Sequence, residues 1–157
     1  MRFKDTRESI YSFQDEFLVK CPCCDSCAKV RRIDPESQDW FAPRRFSCKK
    51  CGSSSDWAEK EIKRYWLYEP VDDYFHYRLW LQIHCCGQIL WAYNLRHLDF
   101  IEQFVAAQIR ERKPDEKLGW SNQSLFSRLP KWIQSRKNRN EILKAIIKMR
   151  ESLNSIT

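Results

Sequence analysis

Two cysteine hooks bound what this chain can fold into. The first reads Cys21-Pro22-Cys23-Cys24 and the second Cys48-Lys49-Lys50-Cys51-Gly52, with 23 residues between them. A C-x2-C pair repeated after about 15–20 residues, or somewhat more, is the spacing of a four-thiolate zinc site. Each hook is a tight turn that aims two sulfurs at one point, so the segment between must return antiparallel. Gly52 suits a turn position of positive φ, where a Cβ would clash. The expected ligands of one structural Zn2+ are Cys21, Cys24, Cys48 and Cys51. Cys24-Asp25-Ser26-Cys27 is also a C-x2-C, so Cys24/Cys27 stands as a rival first hook. The proline directly after Cys21, and the apolar run that ends there, favour Cys21/Cys24. Four thiolates leave no open coordination position, which makes the centre structural rather than catalytic. A dithiol redox centre at either of the first two hooks would leave Cys48 and Cys51 without a role.

Eight cysteines in a secreted chain would suggest disulfides. Residues 1–8 are charged and carry no apolar signal segment, so the thiols are expected in a reducing cytoplasm, as metal ligands. The longest uncharged run, Leu79 to Leu95, is too short to span a bilayer and is broken by polar residues, so no membrane anchoring is expected. Hydrophobic residues at 43% and aromatics at 14% imply a packed core. At 157 residues the chain makes one domain, or one domain with a small metal module.

The pattern along the chain predicts an α+β fold: a zinc ribbon and antiparallel hairpins, then three to four C-terminal helices. Residues 1–16 form an N-terminal segment, 17–68 the ribbon, and 69–157 a hairpin plus helical region packed with the ribbon. Phe17–Lys20 reads as a strand into the first hook. Ala28–Ile33 alternates apolar with basic, as a half-buried strand does. Residues around Pro43 suggest an edge strand entering the second hook, and Ser53–Asp56 a loop. Ile62–Tyr68 reads as a further strand. Tyr77–His84 and Gln88–Tyr93 predict a hairpin turning at Cys86-Gly87. Asn94 is a plausible N-cap for a helix carrying Leu95, Leu98, Ile101, Phe104, Val105 and Ile109, running to Lys113-Pro114. Asn122 to Leu129 suggests a short helix, Pro130 opens another with Trp132 and Ile133, and Ile142, Leu143, Ile146, Ile147, Met149 and Leu153 make a final stripe.

Cys21-Pro22-Cys23-Cys24, Cys48–Gly52, Leu90-Trp91-Ala92-Tyr93-Asn94, His97-Leu98 and Ser127–Ile133 together resemble small, mostly uncharacterised bacterial proteins that contain a transcription-factor-IIB-type zinc ribbon. The resemblance covers most of the chain and implies zinc and a fold, not an activity. Cys23 and Cys27 depart from its simplest hook.

The formal charge of +7 is uneven. Residues 121–157 hold eight Lys/Arg against two Glu, a net of +6, so everything before them sums to about +1. Arg128, Lys131, Arg136, Lys137 and Arg139, with Trp132 among them, could track phosphates and stack a base. A solvated helix face shows the same charges. Arg44 and Arg45, with Arg31, Arg32, Lys49 and Lys50, crowd basic charge onto the ribbon and tip the reading toward nucleic acid. His84-Cys85-Cys86 invites a Cys–His nucleophile or a second metal site, but reads first as a packed strand end running into a turn, because His84 and Cys85 point to opposite faces. Neither a deaminase arrangement, H-x-E with P-C-x-x-C, nor a glycine-rich phosphate loop is present. The expectation is a non-enzymatic protein that binds nucleic acid or a nucleoprotein complex. The rival is a module of immunity or antitoxin type that binds a partner protein through its aromatic residues.

Overall fold

The computed structural model describes residues 2–4, 13–37, 41–58, 70–107, 109–111 and 129–154. The predicted strand Ile62–Tyr68, the predicted helix from Asn122, and Arg128 lie outside them. The described residues form a mixed α+β structure built from two antiparallel sheets, one short parallel strand pair, and helices that include a long C-terminal one.

Strand β1 (Arg2–Lys4) is followed by β2 (Glu16–Lys20), β3 (Cys27–Arg32), β4 (Arg44–Ser47) and β5 (Ser54–Trp57). The last four make one antiparallel sheet in the order β2-β3-β4-β5. Two expectations need correction here. Strand β4 is interior, not an edge: Pro43 stops short of the ladder, so its missing N–H costs nothing there. Residues Ser54–Trp57 are the edge strand, not a loop. Their polar side chains hide the pattern, but the register sets Asp56 opposite Arg45 and buries Trp57. Strand β2 is buried on both faces at Phe17, Leu18 and Val19. Its outer edge is taken by the chain from elsewhere: Trp80 donates to the Leu18 carbonyl (2.9 Å) and Leu18 to that of Tyr93 (2.8 Å).

The hairpin β6 (Leu81–Cys85) and β7 (Gln88–Ala92) turns at Cys86-Gly87, with φ of 55° and 73°. Both positive values are what a two-residue type I′ turn needs. The hairpin is shorter than Tyr77–His84 predicted, because Arg78 and Leu79 bridge instead to Val71 and Val19. Helix α1 (Leu95–Ala106) begins at the expected cap, where Asn94 Oδ1 accepts from the His97 N–H at 2.9 Å. It ends well before Lys113. Ile109 fits the helical stripe, but residues Ile109–Glu111 form β8, which pairs in parallel with β1; tertiary pairing overrides local periodicity.

After Pro130 come α2 (Lys131–Gln134), a 3-10 turn (Arg136–Asn138) and α3 (Arg139–Asn154). Helix α3 packs on α1 and β6. Its buried face is Ile142, Ala145, Ile146 and Met149. Ile147 is corrected out of that stripe, being 54% exposed. No helix among the described residues is long and apolar enough to cross a membrane.

Candidate metal centre and an adjoining cleft

The four expected cysteines meet. The Sγ atoms of Cys21, Cys24, Cys48 and Cys51 all lie within 4.8 Å of one another. Cys21 to Cys51 is 3.7 Å and Cys24 to Cys48 is 3.5 Å. A tetrahedron with metal–sulfur bonds of about 2.3 Å has sulfurs about 3.8 Å apart, so the donor set fits one soft, tetrahedral ion. Cys27 is outside the cluster, which corrects the rival hook: as the first residue of β3 it pairs with Lys20, and burial pushes its thiol up to about 11. Cys23 points to solvent while its N–H reaches the Cys21 sulfur at 3.4 Å.

Each hook closes in the same way. The Asp25 N–H donates to the Cys21 carbonyl and the Gly52 N–H to the Cys48 carbonyl, both at 2.9 Å. Asp25 and Gly52 both have positive φ, 64° and 79°. An unhindered αL position suits Gly, and a short polar Asp side chain tolerates it. Burial pushes the Cys21 thiol up to about 12. Hydrogen bonds from the Ser53 hydroxyl and amide hold Cys51 down to about 6, and those from Ser26 lower Cys24.

The residues proposed from sequence to meet nucleic acid are scattered. Arg44 is a correction: it is 0% exposed. Alternation along β4 puts it on the face of Phe46, where its guanidinium donates to the Gln14 carbonyl and to Tyr74 Oη (2.8 Å) and lies 4.2 Å over the Tyr74 ring. It is a core residue and cannot reach a phosphate. Arg45 is exposed and held by Asp56 through two contacts of 2.8 and 3.2 Å. Lys131, Arg136 and Lys137 are exposed around α2 and the 3-10 turn. Trp132 is half-buried against the core. Arg139 is half-buried and donates to the Ala107 carbonyl at 2.9 Å.

Sequence reasoning missed a cleft beside the first hook. Lys20, Asp25, Arg78, Trp80 and Lys148 line a concavity of about 370 Å³. It adjoins a second of about 270 Å³, which shares Lys20, Asp25 and Arg78 and adds His76 and Tyr77. Three segments deliver its cations: the end of β2, the loop before β6, and α3. The loop is shaped by Asp72, which is fully buried and takes N–H groups of Tyr74, Phe75 and Tyr77 on its carboxylate at 2.7–3.0 Å. Burial raises its pKa while those donors pull it back. An Asp whose carboxylate can take N–H groups a few residues on is the local signal for such a turn; nothing local in the sequence signals the meeting of Lys20 with Lys148.

Cys85 and Cys86 come together with a third group, Glu141 of α3. His84 is exposed, on the opposite strand face from buried Cys85 as alternation requires. Comparison of the chain with protein-family models, curated proteins and solved structures finds no match.

Proposed function

We propose that the protein is a zinc-ribbon protein that binds single-stranded nucleic acid in the cleft beside its metal centre. The four-cysteine donor set supports zinc, because soft thiolates in a tetrahedron suit that ion and leave it no open position for chemistry. A ribbon of the transcription-factor-IIB type is what the cysteine and aromatic stretches resemble, and two matched hooks on an antiparallel sheet agree with it. The binding face is placed at the cleft rather than at the basic run 128–139. The observation that carries this is the convergence of Lys20, Arg78 and Lys148, against one carboxylate, Asp25, on a concave surface that also presents Trp80. His76 and Tyr77 extend the aromatic lining next to Cys21 and Pro22. Cations that track phosphates beside rings that stack bases are what a single-strand groove requires. In this reading the metal acts through structure alone: it fixes the first hook, and the hook carries Asp25 and the end of β2 into the cleft wall.

The test is a titration of the zinc-loaded protein into labelled single-stranded DNA and RNA over a salt series. Log affinity should fall linearly with log salt, by roughly 0.7 per phosphate neutralised. Reversing Lys20, Arg78 and Lys148 to Glu should abolish binding, while reversing Lys131, Arg136 and Lys137 should leave most of it. Trp80→Ala should cost about 1–3 kcal/mol of binding if a base stacks there. Loss through the second triple alone would return the interface to the α2 region. No binding to either nucleic acid at low salt would retire the proposal in favour of a protein partner.

A further inference from the structure

The second cysteine cluster stands apart from the ribbon. Cys85 ends β6 and Cys86 begins the turn to β7. Their sulfurs are 3.6 Å apart, the Cys86 sulfur is 3.2 Å from Glu141 Oε2, and all three donor atoms lie within 4.8 Å of one another. Consecutive side chains on a strand diverge. These two converge because the backbone turns between them, with Cys86 at φ 55°. That position of a type I′ turn calls for Asn or Gly, and a residue with an ordinary side chain is strained there. Cysteine at this strained position, aimed at its neighbour's thiol and at a carboxylate from another element, calls for a reason other than turn chemistry.

We propose that Cys85, Cys86 and Glu141 form a second metal site, for a thiophilic divalent ion of the zinc type, with its fourth position open to water. The spacing agrees with one ion. Sulfurs share a tetrahedral edge of about 3.8 Å, and a sulfur and a carboxylate oxygen about 3.6 Å, when bonds are near 2.3 and 2.1 Å. Two thiolates select against magnesium and calcium, which take oxygen ligands. Three protein ligands and a water are the coordination of an exchangeable centre, unlike the closed four-cysteine one. The charge balances. Both thiols release their protons to solvent, the ion forms two bonds to sulfur and one to the Glu141 carboxylate, and one water is retained. The dication that enters replaces the two protons that leave, so the cluster carries a charge of −1 before and after. The ion would tie the β6–β7 turn to the first turn of α3.

The experiment titrates cobalt(II), under a thiol-free reductant, into the protein as purified with its first metal in place. Wild type should take up a second equivalent, for a total of about two ions per chain, with sulfur-to-cobalt charge transfer and intense tetrahedral d–d absorption. Cys85→Ser with Cys86→Ser should saturate at the first equivalent. Glu141→Gln, at an exposed side chain, should weaken the second ion about tenfold or more while circular dichroism stays unchanged. That variant decides alone if the double-serine protein does not fold. Saturation of wild type at one equivalent, a second equivalent that survives loss of both thiols, or an unchanged affinity in Glu141→Gln would overturn the site. The nucleic-acid titration does not involve these residues, so failure there and failure here read separately.

Discussion

The two hooks of the metal centre share one backbone and differ in everything around it. In both, the residue after the second cysteine donates back to the first cysteine's carbonyl at 2.9 Å. In both, the first cysteine's N–H is taken by the carbonyl two residues past the second, Ser26 at 2.8 Å and Ser53 at 2.9 Å. Yet Cys21 is 0% exposed with its thiol pushed up to about 12, while Cys51 faces solvent and is held down to about 6. The shape of a hook is thus set within six residues, as are the hydrogen bonds from Ser26 and Ser53 that lower Cys24 and Cys51, while burial against the body raises Cys21. The first hook is bolted to the body: Lys20 donates to the Arg78 carbonyl at 2.8 Å, and Pro22 and Asp25 wall the clefts. The second buries Cys48 and, of its two cysteines, leaves only Cys51 open to solvent.

The largest test of that contrast removes one sulfur from each hook. Structural zinc is worth on the order of 10 kcal/mol of folding free energy. Cys48→Ser and Cys21→Ser should therefore both release metal and melt the β2–β5 sheet, seen as lost zinc by elemental analysis and lost strand signal. Cys51→Ser removes a ligand too and should also loosen the sheet, but Cys21→Ser, at a fully buried thiol beside the cleft, should disturb the aromatic rings more than Cys51→Ser at an exposed one. Equal near-ultraviolet dichroism changes in the two variants would break the contrast.

Ile146→Ala probes the other half. The side chain is fully buried on α3, so its loss should cost about 2–5 kcal/mol in denaturant unfolding. Metal should stay bound in the folded variant. Zinc release at the same denaturant concentration as helix loss would show that the two halves unfold as one unit.

A pH series reads His97, which is buried, stacks on Phe13 at 5.1 Å and accepts the Tyr93 N–H at 3.0 Å. Burial lowers its pKa to about 3, with Arg96 adding to the effect. Between about 6.5 and 3 the unfolded chain binds a proton that the folded chain refuses. Stability from this group is therefore complete above 6.5 and falls with pH, by at most about 1.4 kcal/mol per unit. His97→Gln should flatten that slope relative to wild type, so comparing the two slopes removes any common loss from metal release. Parallel slopes would place the acid sensitivity in the hooks alone.

The smallest effects compare the turns directly. Gly52→Ala meets no atom within 4 Å, so its cost of about 1 kcal/mol should be pure backbone strain at φ 79°. Asp25→Gly relieves the same strain at φ 64° and should gain less than about 1 kcal/mol, since glycine also loosens the unfolded chain. A loss at Asp25 would mean that its carboxylate does more in the cleft wall than tolerate the turn.

The hooks were legible in the sequence because C-x2-C spacing brings sulfurs together in pairs, and the proline after Cys21 with the apolar run before it favoured Cys21/Cys24 over Cys24/Cys27. The β6–β7 turn and the Asn94 cap were legible for the same reason, being chemistry within a few residues. Strand β5 was not: Ser54, Ser55 and Asp56 have no apolar alternation, and only pairing with Arg45 and β4 makes them a strand. The end of α1 was hidden because Ile109 satisfies the helical period and the parallel partner that captures it lies at residues 2–4. Arg44 was readable and misread. Two positions before Phe46 on a strand is the same face, and the charge drew attention away from the register. The cleft could not be read, since Lys20 and Lys148 become neighbours only once α3 is laid across the β6 side of the molecule.

Helix α3 bears on both proposals as a mechanical part. Glu141 and Lys148 are seven residues apart, two turns of an uninterrupted rod, so they share one face about 10 Å from each other. The apolar face between them, Ile142, Ala145, Ile146 and Met149, gives the rod a fulcrum on α1 and β6. A clamp at the Glu141 end would remove the axial play at the Lys148 end, and a strand gripped at Lys148 would hold Glu141 against the two thiols. Each ligand would then tighten the other by the same factor, however small, because linkage has no preferred direction.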